Sequence, residues 1–79
     1  MAKANIGIEL KRQRANAKMS QNDLAIESDV TLSFIKEIEL GNQQPTITTL
    51  FRLAKALDVT PDQLIMACWA DWKESEKDC

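Results

Sequence analysis

The stretch from Ser20 to Gly41 constrains the fold more than any other part of the chain. Ser20 is a good N-cap, with Asp23 three residues on to meet the amides of a first helical turn. Leu24 and Ala25 then face inward, and a turn follows at Ser28, Asp29 and Val30. Thr31 offers a second cap just before Phe34, Ile35 and Ile38, which stand at helical spacing. Gly41 closes this second helix in the left-handed position that follows a helix C-terminus. The pattern predicts two short helices joined by a tight turn, with small Ala25 at their crossing. A plain αα-hairpin alternates in the same way, so the pattern alone leaves a structural hairpin and a nucleic-acid reader equally open.

The flanks add three more helices. Ile6 to Ala17 suits one amphipathic helix, with Ile6, Leu10 and Ala17 on one track and Ile8 and Ala15 on the next. Asn5 is placed to cap it, and Gly7 weakens its first turn. After Gly41, Asn42, Gln43 and Gln44 form a polar loop that Pro45 ends. Thr46 caps a fourth helix whose apolar positions are Ile47, Leu50, Leu53, Ala54 and Leu57, and Asp58-Val59 breaks it. Thr60-Pro61-Asp62 then combines a cap, a first-position proline and a first-turn acid, starting a last helix over about 60–74. The charged run from Lys73 to Cys79 is expected to fray. The expected architecture is all-α: a compact five-helix bundle, one domain over residues 1–79, with its central pair at about 20–41.

At 79 residues, a chain buries only ~60% of its unfolded surface, so its core is marginal and a partner subunit would help. Leu64, Ile65, Cys68, Trp69 and Trp72 make an apolar stripe longer than a five-helix core requires. Both indoles could fold back onto their own domain. Trp is enriched at interface anchors, however, and the stripe predicts a homodimer through Ile65, Cys68, Trp69 and Trp72. Nothing approaches the ~18 uninterrupted apolar residues of a membrane span, and the N-terminus lacks a secretory h-region. Two cysteines and no histidine leave a zinc site short of ligands, so the reading is reduced thiols, a cytoplasmic protein, and no metal or cofactor. With no histidine, no tyrosine, no glycine-rich phosphate loop and no nucleophile beside a base, an enzyme is not expected.

The net charge of −2 argues against indiscriminate polyanion binding, but it is unevenly spread. Residues 1–18 carry +4, residues 19–45 carry −4, and the remainder −2. The basic segment, with Arg12 and Arg14, can make a local phosphate-binding edge, although a solvated helix face fits the same count. If Ile35 and Ile38 face the core, Leu32, Ser33, Lys36 and Glu37 point outward. Ser33 can bond a base edge, Lys36 a guanine or a phosphate, Glu37 the cytosine amino group, and Leu32 a thymine methyl. Gln21, opening the first helix of the pair, can meet a phosphate, as can Asn42 and Gln43 after the second. Glu37 and Glu39 are two apart and point in different directions; Glu39 suits a structural pair with Arg14 or Arg12. Each polar residue alone is more often just solvated, and their clustering around one turn is the signal.

The combination Gln21, Leu24-Ala25, Val30-Thr31, Ile35, Ile38-Glu39, Gly41, Pro45-Thr46, Leu50, Leu53 to Leu57, Val59-Thr60 and Leu64 resembles the lambda-repressor-like, Cro/CI-type helix-turn-helix family, also called the xenobiotic-response-element family. The resemblance runs from about residue 8 to 65. It implies a homodimer that binds a pseudo-palindromic operator in double-stranded DNA. Carried over by position, it implies base contacts from Leu32, Ser33 and Glu37 with Lys36 nearby, and phosphate contacts from Gln21 and Gln43. The short chain also looks like the controller proteins of restriction–modification operons, which dimerise through the last helix. Asp23 and Glu27 are candidates for a contact with RNA polymerase, or simply for a solvated face. An antitoxin or other protein-interaction module on the same fold is the alternative. Four positions depart from the family: Asp29 replaces a turn glycine, Leu32 and Glu37 stand where relatives carry Arg, Gln or Lys, and Leu40 replaces a polar residue.

Overall fold

The computed structural model describes the backbone of residues 5–77 and the side chains of residues 5–74. Five helices follow in order: α1 (Gly7–Asn16), α2 (Gln21–Ser28), α3 (Leu32–Leu40), α4 (Ile47–Leu57) and α5 (Pro61–Lys77). No strand occurs among the described residues. Each helix contributes to the innermost layer: Leu10, Leu24, Ile35 with Ile38, Leu53 and Leu64 are all fully buried. Such a side chain contributes about 1.5–3 kcal/mol on leaving water. Ile6, Val30, Leu50, Ala54, Leu57 and Cys68 complete the core around them.

Local chemistry sets the helix ends as the sequence predicts. The Ser20 hydroxyl accepts from the Asp23 N–H at 2.9 Å, and the Asp23 carboxylate accepts from the Ser20 N–H at 3.0 Å. Thr31 and Thr46 cap α3 and α4 by accepting from the Phe34 and Thr49 N–H groups, each at 3.2 Å. Asp29, Gly41 and Asp58 turn the chain out of α2, α3 and α4 in the left-handed conformation. Asp29 holds a φ of 58°, which its short polar side chain tolerates better than most residues do.

Three expectations are corrected. The inward face of α1 does not include Ile8, Ala15 or Ala17, which are exposed; it runs through Ile6, Gly7, Leu10 and partly buried Arg14. The reason lies at Gly7, whose backbone rests against the end of α3. A Cβ there would collide with the Ile38 carbonyl oxygen and lie 3.0 Å from that of Glu39. Gly7 is thus a packing residue, and the Asn5 side chain supports it by accepting the Gly7 N–H at 2.7 Å. Second, Cys68 is buried in the core of its own chain, because α5 turns Leu64 and Cys68 inward as an i, i+4 pair. It does not face outward as the dimer assignment required; Cys79 lies outside the described residues. Third, α5 does not fray at Lys73 but stays helical through Lys77, in a segment free of Gly and Pro and rich in good helix formers.

Candidate nucleic-acid interface

The turn between α2 and α3 sets α3 with Ile35 and Ile38 in the core and its opposite side towards solvent. Ser33 and Lys36 are exposed there, and Leu32 and Glu37 are half-buried. The four candidate base readers therefore share one helix and none is enclosed in the core. The loop after α3 folds back on it. The N–H groups of Asn42 and Gln43 both donate to the Glu37 carbonyl, at 3.0 and 3.3 Å. The Asn42 side-chain amide donates to the Glu37 carboxylate at 3.1 Å. Gln43 has its side chain exposed.

Behind this face a polar network joins three helices. Arg14 on α1 donates from Nε and Nη2 to the two carboxylate oxygens of Glu39 on α3, at 2.8 and 3.1 Å. Its Nη1 donates to the Met19 carbonyl at 2.9 Å. Gln21, at the start of α2, donates its amide to the same carboxylate at 3.0 Å. The side chains of Arg14 and Glu39 are only 16% and 5% exposed. Hydrogen bonding to Glu39 raises the Arg14 pKa above its ordinary value; burial opposes this and the Glu39 charge adds to it. A planar guanidinium forked onto a carboxylate fixes direction as well as distance.

This network revises the phosphate assignments. Arg14 is bound into the fold with its charge neutralised, so it is not an available phosphate ligand. Of the two pairings open to Glu39, the structure forms the one with Arg14. Arg12 instead meets Glu9 at 2.9 Å while staying 65% exposed, and Gln13 donates to the same carboxylate at 2.8 Å. Gln21 keeps one amide N–H beyond its bond to Glu39. Above the network lies a groove of about 430 Å³ lined by Lys11, Arg14, Gln21, Lys36, Glu39 and Leu40. Since the pair at its floor is neutral, Lys11 and Lys36 give the groove its positive charge. Neither forms an ion pair among the described residues. Lys11 belongs to the basic segment that the sequence marks as the supply of positive charge, and its place three residues before Arg14 puts both on one side of α1.

On α5, the side opposite Leu64 and Cys68 exposes Ile65, Met66 and Trp69, with Trp69 46% exposed. Trp72 is half-buried and stacks on Trp69 with ring centroids 5.6 Å apart and planes 24° apart. The Lys73 ammonium stands 5.9 Å from the Trp69 ring centre. Met66 belongs to this surface and was missed, although it stands three residues before Trp69 and so shares its side of the helix. Among the described residues no cluster of His, Cys, Asp and Glu is arranged to hold a metal ion, and no helix is long and apolar enough to cross a membrane.

Comparison with known proteins is consistent with this geometry. A family described as Helix-turn-helix matches residues 10–64. An uncharacterized HTH-type transcriptional regulator of Sinorhizobium fredii, y4dL, is 39% identical over 51 residues, covering 65% of this chain and 26% of its own length. The chain thus spans about a quarter of that relative. The control protein C.BamHI of Bacillus amyloliquefaciens is 33% identical over 51 residues, covering 65% of this chain and 63% of its own. Among solved structures, the restriction-modification controller protein C.AhdI from Aeromonas hydrophila superposes with a TM-score of 0.74 at 30% identity, covering 77% of this chain and 92% of its own. The five-helix order, the α2–turn–α3 unit and the matched residues agree: the chain belongs to the Cro/CI-type helix-turn-helix family of transcriptional regulators.

Proposed function

We propose that the protein is a sequence-specific DNA-binding regulator that acts as a homodimer on a pseudo-palindromic operator, and that it is a controller of a restriction–modification operon. The observation that carries the DNA-binding reading is the rigid seating of α3. The Arg14–Glu39–Gln21 network ties α3 to α1 and α2, while the outer side of α3 presents Leu32, Ser33, Lys36 and Glu37. In a helix-turn-helix complex the second helix enters the major groove and the first crosses the backbone. In that pose Ser33 and Glu37 meet base edges, Leu32 a thymine methyl, and Lys36 either a base or the flanking strand. Lys11, the remaining N–H of Gln21, and Gln43 meet phosphates, which position the helix without specifying sequence.

The homodimer is supported by the exposed Ile65, Met66 and Trp69 on α5, since a chain of 79 residues gains from covering such a surface. Two-fold symmetry then sets the half-site centres one helical turn apart, about 34 Å. The controller reading is supported by the likeness to C.BamHI and C.AhdI. Regulation is by occupancy: the dimer blocks a promoter, or sits beside it with the exposed Asp23 and Glu27 of α2 turned towards RNA polymerase. Selection from a randomised duplex library tests the proposal. Enrichment of a pseudo-palindrome supports it, and a wild-type protein that enriches no sequence overturns it.

A further inference from the structure

An acidic side chain on a recognition helix is costly beside phosphates unless its carboxylate is aimed at a donor. Glu37 is in that position, and it has no ion-pair partner among the described residues. What holds it is the loop that follows. Asn42 is anchored by its own N–H on the Glu37 carbonyl at 3.0 Å, and its side-chain Nδ2 then donates to Glu37 Oε2 at 3.1 Å. The turn that brings Asn42 round is itself confined. Gly41 sits at φ 85°, and a Cβ there would lie 2.8 Å from Asn5 Nδ2, so the residue two before α1 rests against it. A flexible glutamate is therefore tethered at both ends by one loop residue. Oε1 and the unused lone pair of Oε2 remain available to accept.

We propose that Asn42 is a positioning residue for sequence specificity. It orients the Glu37 carboxylate towards the exocyclic amino group of a cytosine, instead of contacting phosphate as its loop position suggested. Asn42 cancels part of the entropy that Glu37 loses on docking, and the donor it supplies tempers the repulsion of a bare carboxylate by the strands. Asn42 thereby acts on one base pair and on no other. This inference rests on the DNA-reading function above.

The test is a randomised-operator selection on the wild type, Glu37→Ala, Asn42→Ala and the double variant, with thermal unfolding as a control for folding. Glu37→Ala should flatten the preference at one base pair of each half-site, by about tenfold for a well-made contact. Asn42→Ala should weaken the preference at that same base pair by roughly three- to fivefold, with all other positions unchanged. The double variant should be no flatter than Glu37→Ala alone, because Asn42 acts only through Glu37. If Asn42→Ala lowers affinity for all sequences alike and leaves every preference intact, Asn42 is a phosphate contact and the proposal is overturned. It is overturned too if Glu37→Ala flattens no position in a wild type that does select a site; in that case the DNA-reading function stands. A wild type that selects nothing removes both.

Discussion

Replacing Glu39 with alanine should be among the most damaging single changes outside the apolar core. The substitution leaves the Arg14 guanidinium, 16% exposed, with two of its three hydrogen bonds unmade, and strands the Gln21 amide as well. Breaking a buried pair by removing one partner costs about 3–5 kcal/mol, mainly because the remaining charge stays buried. Partial exposure of Arg14 and its retained bond to Met19 set the expectation at the lower end, about 3 kcal/mol. Native domains hold only about 5–15 kcal/mol, and for one this small each kcal/mol lowers the midpoint by about 4–8 °C. The midpoint should therefore fall by about 12–24 °C, measured by circular dichroism at fixed protein concentration so that any subunit equilibrium is held constant. Glu9→Ala supplies the contrast. Its carboxylate is as buried, but its partner Arg12 is 65% exposed and is rehydrated when released, so the loss of the pair should cost under about 1 kcal/mol. The pH response follows from Arg14. Glu39 raises its pKa above the ordinary value, so the charged form is favoured by folding, and that stabilisation is complete below the unfolded pKa and lost only as pH rises through the folded one. Titration of Arg14 should thus leave stability flat through neutral pH and reduce it only in strong alkali. A Glu39→Ala protein that melts within a few degrees of Glu9→Ala would show instead that the network adds no more than a surface pair.

Other outcomes follow from the same geometry. Gly7→Ala gains about 0.5–1 kcal/mol of helix propensity but must push α1 off the Ile38 carbonyl, an overpacking cost of about 1–3 kcal/mol, so urea unfolding should show a net loss. Cys68→Ser places a hydroxyl in the core and should destabilise by about 1–3 kcal/mol in the same assay, while on the dimer proposal sedimentation should show the association unchanged. Trp69→Ala removes the largest exposed side chain of α5 and, on the dimer proposal, should weaken association by about 2 kcal/mol or more, seen as a shift to monomer at micromolar concentration. On the proposed DNA-binding function and with Arg14 neutralised, Lys11 and Lys36 of each protomer should be the main phosphate neutralisers, giving about four per dimer and a log–log salt slope near −4 in a binding titration.

Features decided within a few residues were legible in the sequence. The caps at Ser20, Thr31 and Thr46, the left-handed exits at Asp29 and Gly41 and the break at Asp58 depend on side chains three residues away or on a single φ. Features decided by distant contacts were not. Nothing in the periodicity of α1 says that Gly7 must meet the α3 carbonyls, and that contact rotates Ile8 to solvent. Counting charges treats Arg14 as free, whereas its partner Glu39 lies 25 residues on and buries it. Along α5 the apolar stripe is wide enough to serve two faces, and only the position of the core shows that Leu64 and Cys68 take one while Ile65 and Trp69 take the other. The four residues on the outer side of α3 were legible because two buried isoleucines fix the orientation of a nine-residue helix.

On the proposed function, two copies of α3 read one face of a duplex. A hydroxyl-radical footprint of the selected duplex, with the mass of the same complex from sedimentation, tests it most directly. Two protected patches should appear on one face, centred one helical turn or about 34 Å apart, under two protomers per duplex. A single patch under one protomer, or no protection at concentrations that saturate the duplex, would contradict it.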